Sequence, residues 1–321
     1  MHSYKELSVA FANFFDTEHF PESPESLYGP NRYFLKLGGK RIRPLLALMG
    51  NELFDEIKPD AWFVASAIEL FHNFTLIHDD IMDAAPLRRG MPTVHEKYGA
   101  HTALLAGDVM LVKAYDNLLQ VDASIMGRVI KNFNQVAAMV CEGQQLDMDF
   151  EKRNDVGLDE YIGMIALKTS VLLAGALKMG AIIGGAGLRN ADHLYEFGKN
   201  LGIAFQVQDD YLDAFGVPEK FGKQVGGDIL ADKKTFLLIN ALHYANDAQR
   251  AAIQSLAGQK TNDKVEKMIG LFQETGADRL TRQLQEQYYE KAMFHLGEVA
   301  VLSSRKKPLQ DLAEYLIARE Y

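Results

Sequence analysis

The chain has 321 residues, 48% of them hydrophobic, with 34 basic against 43 acidic side chains and a net charge of −9. A protein this acidic is a poor partner for nucleic acid or an anionic membrane surface, so an anionic substrate would need metal ions or a local basic cluster to overcome the global field. The single cysteine, Cys141, excludes an intrachain disulfide and fits a reducing, cytoplasmic setting.

The N-terminal MHSYKELSVAFANFF has no basic stretch leading into an apolar run, so no signal peptide is expected. After the breaks PESPES (21–26) and Gly38–Gly39, apolar residues three and four apart predict helices over 42–54 and 61–83. PLRRGMPT (86–93) interrupts the pattern, which resumes over 101–119, 123–150, 158–184, 190–215, 232–245 and 261–292. The breaks GGAG (184–187) and FGVPEKFGKQVGGD (215–228) separate three of these, and RKKPLQDLAEYLIAREY is expected to pack as a terminal helix. No run of about 18 uninterrupted apolar residues predicts a membrane span. Strand alternation is nearly absent, and no linker, repeat or composition shift divides the chain. The expectation is one all-α domain over 1–321, with helices packed round a central cavity.

Two acidic clusters share one spacing. LIHDDIMD carries Asp79, Asp80 and Asp83, and VQDDYLD carries Asp209, Asp210 and Asp213. Residues four apart share a helix face, so Asp79 sits over Asp83 and Asp209 over Asp213. Carboxylates gathered at a helix C-terminus oppose the macrodipole and one another unless a cation intervenes, and hard oxygen ligands suit Mg²⁺. One such cluster alone reads equally well as a solvated acidic face. Two with the same spacing, each after an apolar run and before a turn with basic residues, argue for metal binding.

The basic complement follows the same logic. GGKRIRP (38–44) puts Lys40, Arg41 and Arg43 at a glycine-led helix start, where positive charge is unfavourable for the dipole but free N–H groups suit anions. Arg88 and Arg89 follow the first acidic cluster, and the guanidinium fork matches phosphate oxygens. Lys168, Lys223 and Lys233 are less specific, since isolated lysines commonly serve solvation. His72 lies two turns before Asp79 on the same face; His78, His95 and Trp62 are expected to be structural.

The ordered runs GGKRIRP, HNFTLIHDDIMDAAPLRRGMPT, GQQLDMDFE, ALKTSVLL, FQVQDDYLD and FGKQVGGDILADKKT resemble the trans-isoprenyl (polyprenyl) diphosphate synthase family, short-chain type, over about residues 35–240. The resemblance implies an all-α isoprenoid-synthase-type helical bundle round a deep hydrophobic cavity, and a homodimer. It implies head-to-tail joining of isopentenyl diphosphate to an allylic diphosphate. About three Mg²⁺ per site, with Mn²⁺ as a substitute, would be held by Asp79, Asp83 and Asp209, supported by Asp80, Asp210 and Asp213. Arg88, Lys168, Lys223 and Lys233 would hold the allylic diphosphate, and Lys40, Arg43, His72 and Arg89 isopentenyl diphosphate. Lys168, Thr169 and Gln206 would present oxygen dipoles to the allylic cation, with Gln144 and Asp147 lining the cavity. The loop 216–227, with Lys223, is a candidate closing element against water.

In such a family, bulky residues four and five positions before the first motif form a floor under the growing chain. Here these are Thr75 and Phe74, with Phe71 about two turns below the motif, and the first motif lacks a two-residue insertion. That pattern implies a C20 product, with C15 the alternative. A terpene cyclase or head-to-head synthase would not need GGKxxRP and RRG together, and a non-catalytic regulatory subunit typically loses aspartates that this chain keeps.

Overall fold

The structure, a computed structural model, describes residues 1–16, 19–216 and 225–318. It is all-α: among the described residues the only strands are the two-residue pair Leu87–Arg88 and Met91–Pro92. Helices Ile42–Glu52, Pro59–Met82, Ala100–Leu118, Ala123–Glu151 and Leu188–Phe215 lie where apolar residues recur three and four apart.

Other expectations change in detail. The run at 261–292 is two helices, Asn262–Glu274 and Ala277–Glu298, because Gly276 adopts the left-handed conformation (φ 76°) between them. The run at 232–245 becomes regular only at Phe236, where Thr235 caps the helix by accepting from Leu238 N at 3.4 Å. The run at 158–184 is interrupted by a π-helical turn, Ala166–Ser170. Helices Tyr4–Phe15, Glu25–Lys36 and Asp247–Leu256 are additional. The first and third start at capping boxes built on Ser3 with Glu6 and Asn246 with Gln249.

By its internal contacts the chain forms two compact units. The first comprises Met1–Asn134, Gly175–Ala191 and Val301–Pro308; the second comprises Gln135–Ala174, Asp192–Ala300 and the chain from Leu309. In the first, helix Pro59–Met82 buries Val64, Ile68, Leu70, Phe71 and Ile77 and packs against Ile42–Glu52 and Ala100–Leu118. There, too, helix Ile42–Glu52 meets the segment from Gly175 backbone to backbone. A Cβ on Gly180 would stand 1.9 Å from the Ala47 carbonyl oxygen, and one on Gly50 2.5 Å from that of Leu177. Only hydrogen fits at either place.

The second unit has two apolar clusters. Phe150, Tyr161, Met164, Ile165, Val207 and Phe236 form one. Ala214, Leu237, Ile253, Met268 and Phe272 belong to the other. The stretch Leu158–Ile183 is long and apolar enough to cross a membrane, with mean hydropathy 1.5 over an 18-residue window, yet 67% of that window is buried in protein. Burial of that kind is what a core helix shows.

Candidate active site

In the first unit, Asp79 and Asp80 end helix Pro59–Met82, and Asp83 caps it, its N–H donating to Asp79 O at 2.8 Å. The three do not have equal surroundings. Asp80 is 1% exposed, and Arg88 closes on it: Nε donates to both carboxylate oxygens at 2.9 Å, and Nη2 lies 2.7 Å from Oδ1. Asp79 is partly exposed and Asp83 exposed. Asp80 is thus tied to arginine, while the pair one turn apart faces the more open side. The break at 86–93 is a tight hairpin pairing Leu87 with Pro92 and Arg88 with Met91, so its turn residues are Arg89 and Gly90, both with positive φ.

The basic end of helix Ile42–Glu52 is a charge cluster. Arg41 is committed elsewhere, with Nη2 2.9 Å from Asp16 Oδ1 and the guanidinium over the Phe15 ring. Arg43 Nη1 lies 3.0 Å from His72 Nε2. A guanidinium can only donate, so Nε2 is the acceptor and neutral His72 carries its proton on Nδ1. Burial, and then the charges of Arg43, Arg89 and Arg88, push the His72 pKa well below the usual histidine value. Burial lowers Arg43 to about 10, opposed by Glu69. Glu69 is 4% exposed; Oε1 accepts from Asn73 Nδ2 at 3.1 Å, while Oε2 accepts no hydrogen bond from the described residues. Burial raises its pKa, against the attraction of Arg41, Arg43 and Arg89. Glu69 was not among the sequence candidates, although an acid inside the apolar run VASAIELF was a usable signal. Lys40 is exposed at this helix start.

On the same helix, Phe71 is 1% exposed and its ring stacks edge-on to Phe133 at 5.3 Å, which meets Tyr115 at 5.4 Å. Phe74 is partly buried, 5.6 Å from Phe71 and 4.7 Å from His78 between ring centroids. Thr75 directs its hydroxyl to His72 O at 2.8 Å. Phe133 and Tyr115 extend the aromatic layer, and sequence spacing alone could not bring them to it.

In the second unit, helix Leu188–Phe215 carries Gln206, Asp209, Asp210 and Asp213. Again the middle aspartate is enclosed. Asp210 is 4% exposed; the Tyr161 hydroxyl and Phe236 N (3.4 Å) donate to Oδ2, and Gln206 Nε2 donates to Oδ1 at 3.3 Å. Burial, with a further push from Asp228, raises its pKa to about 7 despite those bonds. Asp213 Oδ2 accepts from Asp228 N at 2.9 Å, and Lys233 pairs with Asp228 at 3.5 Å. Asp209 is partly exposed.

Lys168 and Thr169 lie on the π-helical turn Ala166–Ser170. Lys168 Nζ donates to Asp147 Oδ2 at 2.5 Å, and Thr169 Oγ1 to Gln206 Oε1 at 3.3 Å. The turn passes so close to Gly143 that a Cβ there would stand 2.2 Å from Lys168 N. Next to Gly143, Gln144 is 8% exposed. Single π-helical turns concentrate at functional sites because the extra residue re-aims the side chains. A cavity of about 920 Å³ in this unit is lined by Asp228, Lys233, Ile239, Met268 and Phe272 among others; it borders Lys233 but none of the motif aspartates. Lys223 and most of the expected closing loop lie outside the described residues.

Among the described residues no three His, Cys, Asp or Glu side chains gather into a preformed metal cage. The donors on offer are pairs of partly exposed carboxylates one helical turn apart. Such a set fits Mg²⁺, which binds through one or two carboxylates plus water and phosphate oxygens rather than an all-protein cage.

The polyprenyl synthetase family model matches residues 24–272. A geranylgeranyl diphosphate synthase of Methanosarcina mazei is 39% identical, covering 93% of this chain and 91% of that protein. A geranylfarnesyl diphosphate synthase of Natronomonas pharaonis is 33% identical over 95% and 94%. A crystal structure of a geranylgeranyl pyrophosphate synthase superposes with a TM-score of 0.94, at 42% identity and full coverage of both chains.

Proposed function

The chain belongs to the polyprenyl synthetase family, and within it we propose a prenyltransferase that extends allylic diphosphates with isopentenyl diphosphate, head to tail, to C20 geranylgeranyl diphosphate. The observation that supports it best is the repeated division within the two aspartate motifs. Asp80 and Asp210 are buried and locked, whereas Asp79, Asp83 and Asp209 stay open to solvent. Whole-chain similarity to synthases of this kind supports one catalytic domain over 1–321.

Asp79, Asp83 and Asp209 would hold about three Mg²⁺, which when bound supply Lewis-acid neutralisation of the departing diphosphate oxygens. Lys40, Arg43, His72 and Arg89 bind isopentenyl diphosphate. Neutral His72 offers it an Nδ1 donor, and Glu69 favours the charged form of Arg43 against the cost of burial. Arg88, Lys168, Lys223 and Lys233 bind the allylic diphosphate. Its C1–O bond breaks to give an allylic cation and pyrophosphate. The alkene of isopentenyl diphosphate attacks C1, and pyrophosphate takes the proton whose loss forms the new allylic double bond. Thr169 and Gln206 set oxygen dipoles toward the cation, and no side-chain nucleophile is required.

Phe74, backed by Phe71 and Phe133, is the floor that supports C20. Homodimerisation is supported by the exposed Leu104, Leu105 and Val112 on helix Ala100–Leu118, and a cytoplasmic location by the single Cys141. The test is a product assay with purified protein, Mg²⁺, isopentenyl diphosphate and, separately, C5, C10 and C15 allylic diphosphates. Dephosphorylated products are then sized by chromatography. A C20 end point upholds the reading, C15 or C25 moves the floor, and no condensation with any starter overturns it.

A further inference from the structure

Tyr161 lies outside every sequence run that carries the resemblance. It lies on helix Leu158–Ile165, 3% exposed, in the cluster with Ile165, Val207 and Phe236, whose ring centroid is 6.4 Å away. A ring packed on every side can aim its single O–H in few directions, and here it donates to Asp210 Oδ2. Oδ1 of the same carboxylate accepts from Gln206 Nε2 at 3.3 Å, and Gln206 Oε1 accepts from Thr169 Oγ1 at 3.3 Å.

Every bond in this series runs one way: Gln206 turns its nitrogen to Asp210 Oδ1 and its oxygen to Thr169, while the Tyr161 hydroxyl holds Oδ2. Thr169 then gives its proton to Gln206 and keeps its lone pairs for the electron-poor carbon. If Asp210 swings out of plane, Gln206 keeps only the Thr169 hydroxyl, which can donate or accept and so does not fix the sense of the amide; Phe236 N is then the one donor left on Oδ2. Turned over, the amide would set N–H groups, the positive end of its dipole, toward a cation.

We propose that Tyr161 is a positioning residue for the condensation, acting through Asp210 to fix the orientation of the Gln206 amide and the Thr169 hydroxyl. The inference rests on the roles given above to Gln206 and Thr169. It differs from mere satisfaction of a buried phenol, because a structural tyrosine would affect stability without selectively affecting turnover.

The test is steady-state kinetics of Tyr161→Phe, Gln206→Ala and their double variant, with Mg²⁺ titrated for each and folding verified by circular dichroism. Tyr161→Phe is expected to lower kcat by up to about 100-fold, as misplacing a positioned group by about 1 Å does, with KM for both diphosphates and half-saturating Mg²⁺ nearly unchanged. The double variant should be no slower than Gln206→Ala, because both break the same series. Incorporating 4-aminophenylalanine at 161, which keeps a donor in place, should restore turnover whether or not the phenylalanine variant folds well. Wild-type kcat in Tyr161→Phe, multiplying losses, no rescue by the amino group, or a change confined to the Mg²⁺ requirement would each overturn the proposal. Gln206→Ala separates two failures: full turnover there refutes the role of Gln206 and the inference with it. A crippled Gln206→Ala beside an unimpaired Tyr161→Phe refutes Tyr161 alone.

Discussion

Truncating Phe74 to alanine should lengthen the product by one unit. The growing chain is expected to run beside helix Pro59–Met82 from the Asp79 end, and Phe74 is the first aromatic in its way. With that ring gone the next obstacle is Phe71, three residues or about 4.5 Å further along the axis, close to what one isoprene unit adds. The end point should therefore move from C20 to C25 and stop, because Phe71 is 1% exposed and wedged against Phe133 at 5.3 Å. Full truncation of a buried phenylalanine costs about 3–5 kcal/mol, and this ring is only partly buried, so the loss should fall below that range. Its contacts with His78 and Phe71 at 4.7 and 5.6 Å go with it. The variant should thus remain folded at the assay temperature, which thermal unfolding would verify. Isopentenyl diphosphate with the C15 starter, followed by dephosphorylation and chromatography, gives the product length. An unchanged C20 product refutes the floor, and products well beyond C25 refute Phe71 as the second stop.

Asp80→Asn should destabilise the first unit by up to about 3 kcal/mol in urea unfolding, since it unpairs a buried carboxylate–guanidinium contact; Arg88 keeps some water, which holds the figure at the low end. His72 has a folded-state pKa below its unfolded value, so its contribution to stability is complete above about pH 6.5 and is lost as pH falls toward the folded pKa. Accordingly, the stability advantage of wild type over His72→Gln should shrink between pH 7 and pH 5, and a constant difference would contradict a neutral buried imidazole. Gly143→Ala puts a methyl 2.2 Å from Lys168 N, a backbone atom that cannot simply rotate aside. It should lower both thermal stability, by about 1–3 kcal/mol, and turnover, because the π-helical turn carrying Lys168 and Thr169 has to shift.

The long helices were legible because apolar periodicity is a local property: Pro59–Met82 and Leu188–Phe215 end within a few residues of the expected bounds. The aspartate and arginine clusters could be singled out in the same way, because their spacing is also local. Local pattern could not reveal the unequal surroundings of the aspartates within each cluster, which depend on Arg88 returning through a hairpin and on Tyr161 reaching Asp210 across 49 positions. The π-helical turn escaped notice for a related reason. ALKTS has ordinary helical composition, and its register change is allowed by Gly143 on another helix. The expected unbroken helix at 261–292 failed differently: Gly276 was a visible stop signal overridden by the periodicity on either side.

The hydrogen-only contact of Gly50 and Gly180 bears on how the basic end of helix Ile42–Glu52 can respond to a substrate. Two helices joined backbone to backbone have no layer of side chains to act as a lubricant, so neither can slide without tearing the other's carbonyl contacts. Adjustment to a diphosphate bound there as proposed would then come from rotamers, Arg43 turning on a fixed mount. Amide exchange along residues 44–52 should be slow and indifferent to ligand, leaving the plasticity of that recognition end in its side chains.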